Sequence, residues 1–137
     1  MLIFIEKKCV PLHRNLEFFV LQFSFSIVYY ISKRIEISAC HHLTLNYESQ
    51  CTKLHGHNWI ITVHCKSETL NENGMVCDFA DIKRIVKDQL DHANLNEVLD
   101  CNPTAENIAR WITERVPKCY KTEVQETVGN TVVYTTD

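Results

Sequence analysis

At 137 residues the chain is long enough to bury one hydrophobic core and too short for two full ones, so a single domain is expected. The balance of 14 Lys and Arg against 17 Asp and Glu gives a net charge of -3 without any long basic run, so nucleic acid is not an expected partner. The seven cysteines are odd in number, scattered and free of any C-x-x-C pair, which argues against a disulfide scaffold or a zinc ribbon and for reduced thiols in the cytoplasm.

Residues 18–31 are strongly apolar and follow Lys7, Lys8 and Arg14, the outline of a signal or anchor. As helix this run would reach about 21 Å at about 1.5 Å per residue, short of a roughly 30 Å hydrocarbon core, and Gln22, Ser24 and Ser26 interrupt it. No membrane span is expected. A secretory signal is the weaker reading, because no small-x-small cleavage site follows and a cut near Ala39 would remove a strand that the domain needs. Residues 1–26 are therefore set apart as an N-terminal extension of unknown role, and 27–137 as the domain.

The stretch 27–39 is rich in β-branched and aromatic residues, and Ile35 and Ile37 alternate with polar neighbours, which predicts a strand. Residues 42–56 have no sustained period and carry Asn, Ser, Thr and Gly, the composition of a loop that carries chemistry. A second strand follows, with Trp59, Ile61, Val63 and Cys65 on one face and Ile60, Thr62 and His64 on the other. A turn at 71–74 before Met75 and Val76 predicts a hairpin there.

Asp78 is a suitable N-cap for a helix ending near Asp91, whose apolar stripe is Phe79, Ile82, Ile85, Val86 and Leu90. A second helix starts after Pro103 with Thr104 as cap, buries Ile108, Trp111, Ile112 and Val116, and stops at Pro117. Strands at 120–127 and 131–135 flank a Gly129-Asn130 turn. The order ββααββ reads as α+β, an antiparallel sheet packed on two helices.

The most informative segment runs from Cys51 through His55 and His57, with the His41-His42 pair ending the first strand. Histidines two apart on extended chain point to one face, so His55 and His57 can offer two imidazoles to one ion, and His41 would complete a tripod. Three neutral imidazoles with an open fourth position suit a catalytic zinc acting as Lewis acid. Two plainer readings stand beside it: a surface histidine cluster, and a closed structural site with Cys51 as fourth ligand. Cys51 near a dication or histidine can also serve as base or nucleophile, while Cys65 and Cys77 read as inert buried thiols on strands. Asp91 and His92 can pair for proton transfer, although a helix-end cap and a solvated side chain is the commoner use of such residues.

The ordered set HGH with a cysteine four residues before it, GMVCDFADIK, LDHANLN, NPTAENIARWI and QET resembles the 6-pyruvoyl-tetrahydropterin / 6-carboxy-tetrahydropterin synthase family over roughly residues 28–137. The resemblance implies zinc on His41, His55 and His57, with His41 preferred to His42, and a catalytic thiol on Cys51. It implies proton transfer by Asp91 and His92, and a pterin anchor at Glu126 with Thr127 beside it. A carboxylate there can accept two parallel N–H bonds from the pterin edge. Glu106 is read as a helix N-terminal acid rather than a catalyst. Lys33, Arg34 and Lys53 are candidates for the triphosphate by charge alone.

The resemblance further implies the tunnelling fold, a homohexamer of two trimers with active sites between subunits, and a dihydroneopterin triphosphate substrate. The 6-carboxy branch, which cleaves the side chain and releases acetaldehyde, is favoured over the 6-pyruvoyl branch. A third branch carries glutamate in place of Cys51 and is disfavoured. The reading from another class is a noncatalytic zinc-stabilised binding module.

Overall fold

A computed structural model describes residues 26–137. Apart from Ser26, the N-terminal extension lies outside the described residues. Four strands form one antiparallel sheet in chain order: β1 (Tyr29–His41), β2 (His55–Ser67), β3 (Cys119–Thr127) and β4 (Asn130–Thr135). Between β2 and β3 lie α1 (Phe79–Leu90), a one-turn α2 (Leu95–Val98) and α3 (Ala105–Arg115). Helix α3 covers β3 and β4, and α1 covers β1.

Period-two alternation builds the core. Trp59, Ile61, Val63 and Cys65 are all fully buried on the helix-facing side of β2, beside Ile35 and Ile37 of β1. Ile82, Val86 and Leu90 of α1 and Ile108 and Ile112 of α3 close on them from above. Each such side chain contributes about 1.5–3 kcal/mol on burial. Asp78 caps α1 by accepting from Ala80 N at 2.7 Å, and Thr104 caps α3 by accepting from Asn107 N at 3.3 Å. Phe79, placed in the buried stripe from its spacing, is instead 47% exposed with the Lys33 ammonium 5.4 Å from its ring centroid.

The expected hairpin at 71–76 does not form. Asn71 closes the turn by accepting from Asn73 N and Met75 N, but Met75 and Val76 lead into the cap of α1 without pairing. Both edges of β2 are already taken by β1 and β3, so a returning strand would have no partner. Strand β1 also runs on to His41 and β2 begins at His55, because these ends pair with each other, His41 opposite His55 and Ala39 opposite His57. Only the last two residues of the expected loop, His55 and Gly56, are therefore strand, and α2, which buries Leu95, was not anticipated.

Candidate active site

The alternation that buries Ile35, Ile37 and Ala39 continues to His41, and that of Trp59 and Ile61 runs back to His57 and His55. The three histidines therefore cap the core on its helix-facing side, with Trp59 as their floor: its ring centroid is 5.0 Å from that of His41 and 5.2 Å from that of His57. One ligand nitrogen from each of His41, His55 and His57 lies within 4.8 Å of the others, a group able to hold a metal ion.

Backbone carbonyls set the ring protonation. His41 Nδ1 lies 2.8 Å from Pro103 O and His55 Nδ1 lies 2.7 Å from Lys53 O. A carbonyl only accepts, so both Nδ1 atoms carry the proton and both Nε2 atoms present lone pairs. Those Nε2 atoms are 3.1 Å apart, and the buried Nε2 of His57 has no hydrogen-bond partner among the described residues. Burial pushes His41 below the ordinary imidazole range against the pull of the Pro103 hydrogen bond, and His55 and His57 push it the same way. Convergent ring nitrogens fit a divalent cation, since tetrahedral zinc at about 2.0–2.1 Å from each nitrogen spaces its ligand atoms about 3.3 Å apart.

Glu126 stands against this group, with Oε1 3.6 Å from His41 Nε2 and 3.7 Å from His57 Nε2. It is the extra residue of a bulge in β3, between the pairs Gln125–Thr131 and Thr127–Asn130. Thr127 is exposed and its hydroxyl accepts from Asn130 Nδ2 at 2.7 Å, which ties it to the β3–β4 turn.

Asp91 and His92 lie along the edge of β1 away from β2, where Cys40 N also donates to Ala93 O at 3.1 Å. Asp91 Oδ1 accepts from Ser38 N at 2.9 Å and lies 3.2 Å from His92 Nδ1, while His92 N donates to Ser38 O at 2.7 Å. The Ser38 amide, helped by the charges of His92 and Lys87, holds the Asp91 carboxyl below the usual carboxylate range. His92 takes a left-handed backbone, φ 58°, and its side chain is 83% exposed. An open depression of about 460 Å³ joins His92 to His57 along Ser38, Cys40 and Asn58.

Cys51 sits in a short 3-10 turn, Gln50–Thr52, capped by Ser49, and its side chain is exposed. Among the described residues no hydrogen bond or ion pair joins it to the histidines, Asp91 or His92.

Sequence reasoning missed two asparagines. Asn96 pairs with the backbone of His42 through both amide atoms, at 2.8 and 2.9 Å, and Asn102 does the same to Thr44 at 2.9 and 3.0 Å. Between them Leu43 N donates to Cys51 O at 2.8 Å. The segment beyond His41 is thus strapped on one side to the helical layer and on the other to the Cys51 turn. Asn102 O in turn accepts from Asn107 Nδ2 at 2.8 Å, beside the Pro103 carbonyl that orients His41. Only the unusual run of asparagines at 94, 96, 102 and 107 could have pointed to this role.

Residues 30–137 match the family model of 6-pyruvoyl tetrahydropterin synthase. A 6-carboxy-5,6,7,8-tetrahydropterin synthase of Synechocystis sp. is 36% identical over 118 residues, covering 76% of this chain and 91% of that protein. A dihydroneopterin monophosphate aldolase of Pyrococcus furiosus is 45% identical over 69 residues, 48% of this chain and 58% of that protein. The solved structure of Caenorhabditis elegans 6-pyruvoyl tetrahydropterin synthase superposes with a TM-score of 0.65 at 26% identity, over 81% of this chain and 97% of that one. The family match begins at the second residue of β1 and takes in the three histidines, Cys51, the Asp91–His92 pair and Glu126, and on that extent the chain belongs to the 6-pyruvoyl tetrahydropterin synthase family of enzymes.

Proposed function

We propose that the chain converts 7,8-dihydroneopterin triphosphate to 6-carboxy-5,6,7,8-tetrahydropterin, releasing acetaldehyde and triphosphate, with zinc on His41, His55 and His57. The observation that carries this reading is the set of convergent Nε2 atoms, two with tautomers fixed by backbone carbonyls, beside a carboxylate at 3.6–3.7 Å. Zinc held there would supply Lewis acidity toward the oxygens of the pterin side chain. Cys51 and the Asp91–His92 pair move protons on and off that side chain, and Glu126 receives the N–H groups of the pterin ring. To reach the far edge of a ring whose side chain lies at the histidines, Glu126 would have to rotate away from its position beside His41 and His57.

The complete site belongs between subunits of a cytoplasmic homohexamer built as a dimer of trimers. Two observations favour sharing: among the described residues no hydrogen bond joins the exposed Cys51 to Asp91 or His92, and Tyr30 and Val133 leave apolar surface exposed on the sheet. No helix among the described residues is long and apolar enough to cross a membrane.

Relatives bear carboxy, pyruvoyl and aldolase names, so likeness supports a pterin substrate more strongly than a product. The 6-pyruvoyl reading is the alternative. A noncatalytic zinc module is disfavoured by the exposure of Cys51 and by the polar groups around the site that a closed zinc centre would not need. The test is mass spectrometry of products after zinc-loaded protein meets dihydroneopterin triphosphate, with Cys51→Ala alongside. Carboxytetrahydropterin with acetaldehyde, lost in the variant, is expected. Pyruvoyltetrahydropterin would move the chain to the other branch, and unchanged substrate would overturn the enzymatic assignment.

A further inference from the structure

At the end of the sheet away from the histidines, Cys65 of β2 stands opposite Cys119 of β3. The register is set by irregularity: His64 pairs with Lys121 but Cys65 with Cys119, so Tyr120 is the extra residue of a bulge, and Lys118 enters the strand with φ 63°. Without the bulge Cys65 would face Tyr120. The neighbouring bond from Lys66 N to Lys118 O, 3.0 Å, makes Cys65–Cys119 a non-hydrogen-bonded pair. Such pairs bring Cα atoms to about 4.5 Å, within the range of about 4.4–6.8 Å that a disulfide spans.

The surroundings are those of a reactive thiol rather than of inert packing. Cys119 is partly exposed, and its Sγ lies 3.5 Å from the hydroxyl of Thr122, which is itself 2.8 Å from that of Thr113. Both threonines are buried, a polar patch inside an otherwise hydrocarbon layer. The Cys65 thiol and these two hydroxyls pull Cys119 below the ordinary thiol range, whereas the hydrogen bond to Cys119, with burial beside it, holds Cys65 above it.

We infer that Cys119 and Cys65 form an oxidisable dithiol, in which Cys119 meets a hydroperoxide and Cys65 resolves the product. The Cys119 sulfur attacks the O–O bond of hydrogen peroxide, forming an S–O bond and releasing water, with its own thiol proton completing that water. Cys65 then attacks the oxidised sulfur, forming S–S and breaking S–O, and its proton leaves with the hydroxyl as a second water. Two thiols lose two electrons and two protons, and one peroxide becomes two waters. The pair lies eight residues along β2 from His57, about 27 Å at about 3.4 Å per residue, so this site is separate from the one proposed above.

The experiment treats the full, reduced chain with stoichiometric hydrogen peroxide and maps its peptides without reduction. A Cys65–Cys119 linked peptide is expected in wild type and in Cys77→Ser, with Cys119 protected from iodoacetamide until a thiol reductant is added. In Cys65→Ser the link is lost and dimedone traps a sulfenic acid at Cys119. Free, alkylatable Cys119 after peroxide, or a Cys65–Cys77 link in place of the expected one, would overturn the inference.

Discussion

His41 and His55 direct their Nε2 atoms at each other across 3.1 Å, although the Nδ1 of each is already committed to a backbone carbonyl. Two lone pairs at that separation repel unless a cation lies between them, so the arrangement stores a binding site that a divalent metal relieves. Removing zinc with a chelator should lower the Tm, and His55→Ala should reduce bound zinc from about one per chain to near zero. Metal analysis and calorimetry check both. Full zinc content in His55→Ala would contradict the assignment.

Among the described residues no hydrogen bond joins Cys51 to Asp91 or His92, and the proposed mechanism has them cooperate across a subunit boundary. Cys51→Ala and Asp91→Asn are each expected to lose at least about 100-fold in turnover. Hybrids made by denaturing and refolding the two variants together should recover about a quarter of wild-type activity if each site draws the two residues from different subunits. No recovery would place both on the same subunit.

Asn102 replaces a missing strand neighbour for Thr44 with both of its amide atoms. Asn102→Ala removes two hydrogen bonds of about 0.5–1.5 kcal/mol each and loosens the segment that links His41 to the Cys51 turn. A loss of about 1–2 kcal/mol in denaturant unfolding is expected, together with weaker zinc retention. Unchanged zinc affinity would limit Asn102 to a purely structural role.

The Ser38 amide holds the Asp91 carboxyl below its unfolded value, so this group stabilises the fold at every pH above about 3.9 and ceases to do so as pH falls through its lower folded value. The stability difference between wild type and Asp91→Asn should therefore stay constant above about pH 4 and shrink below it. Acid-unfolding curves of the two proteins measure this. A difference that persists unchanged to about pH 2 would contradict it.

The residues that the sequence made legible are those whose signal is local. Trp59, Ile61, Val63 and Cys65 alternate, and all four are buried. The same period of two explains why His55 and His57 share a face with each other and with His41 across the β1–β2 pair. Met75 and Val76 misled because the partner of β2 is β3, a strand far along the chain that leaves no trace in the local pattern. Asn96 and Asn102 were invisible for a related reason. An asparagine in a loop looks like turn chemistry until the backbone it substitutes for, at His42 and Thr44, is brought beside it. The bulge that places Glu126 and the one that pairs Cys119 with Cys65 are likewise products of strand pairing.

X-ray absorption at the zinc edge of the metal-loaded full chain tests the central claim most directly. Three imidazole nitrogens and one further light atom at about 2.0–2.1 Å, with no sulfur shell, are predicted for a centre made by His41, His55 and His57. A sulfur at about 2.3 Å would contradict it, placing Cys51 on the metal and converting the proposed catalytic site into a closed structural one.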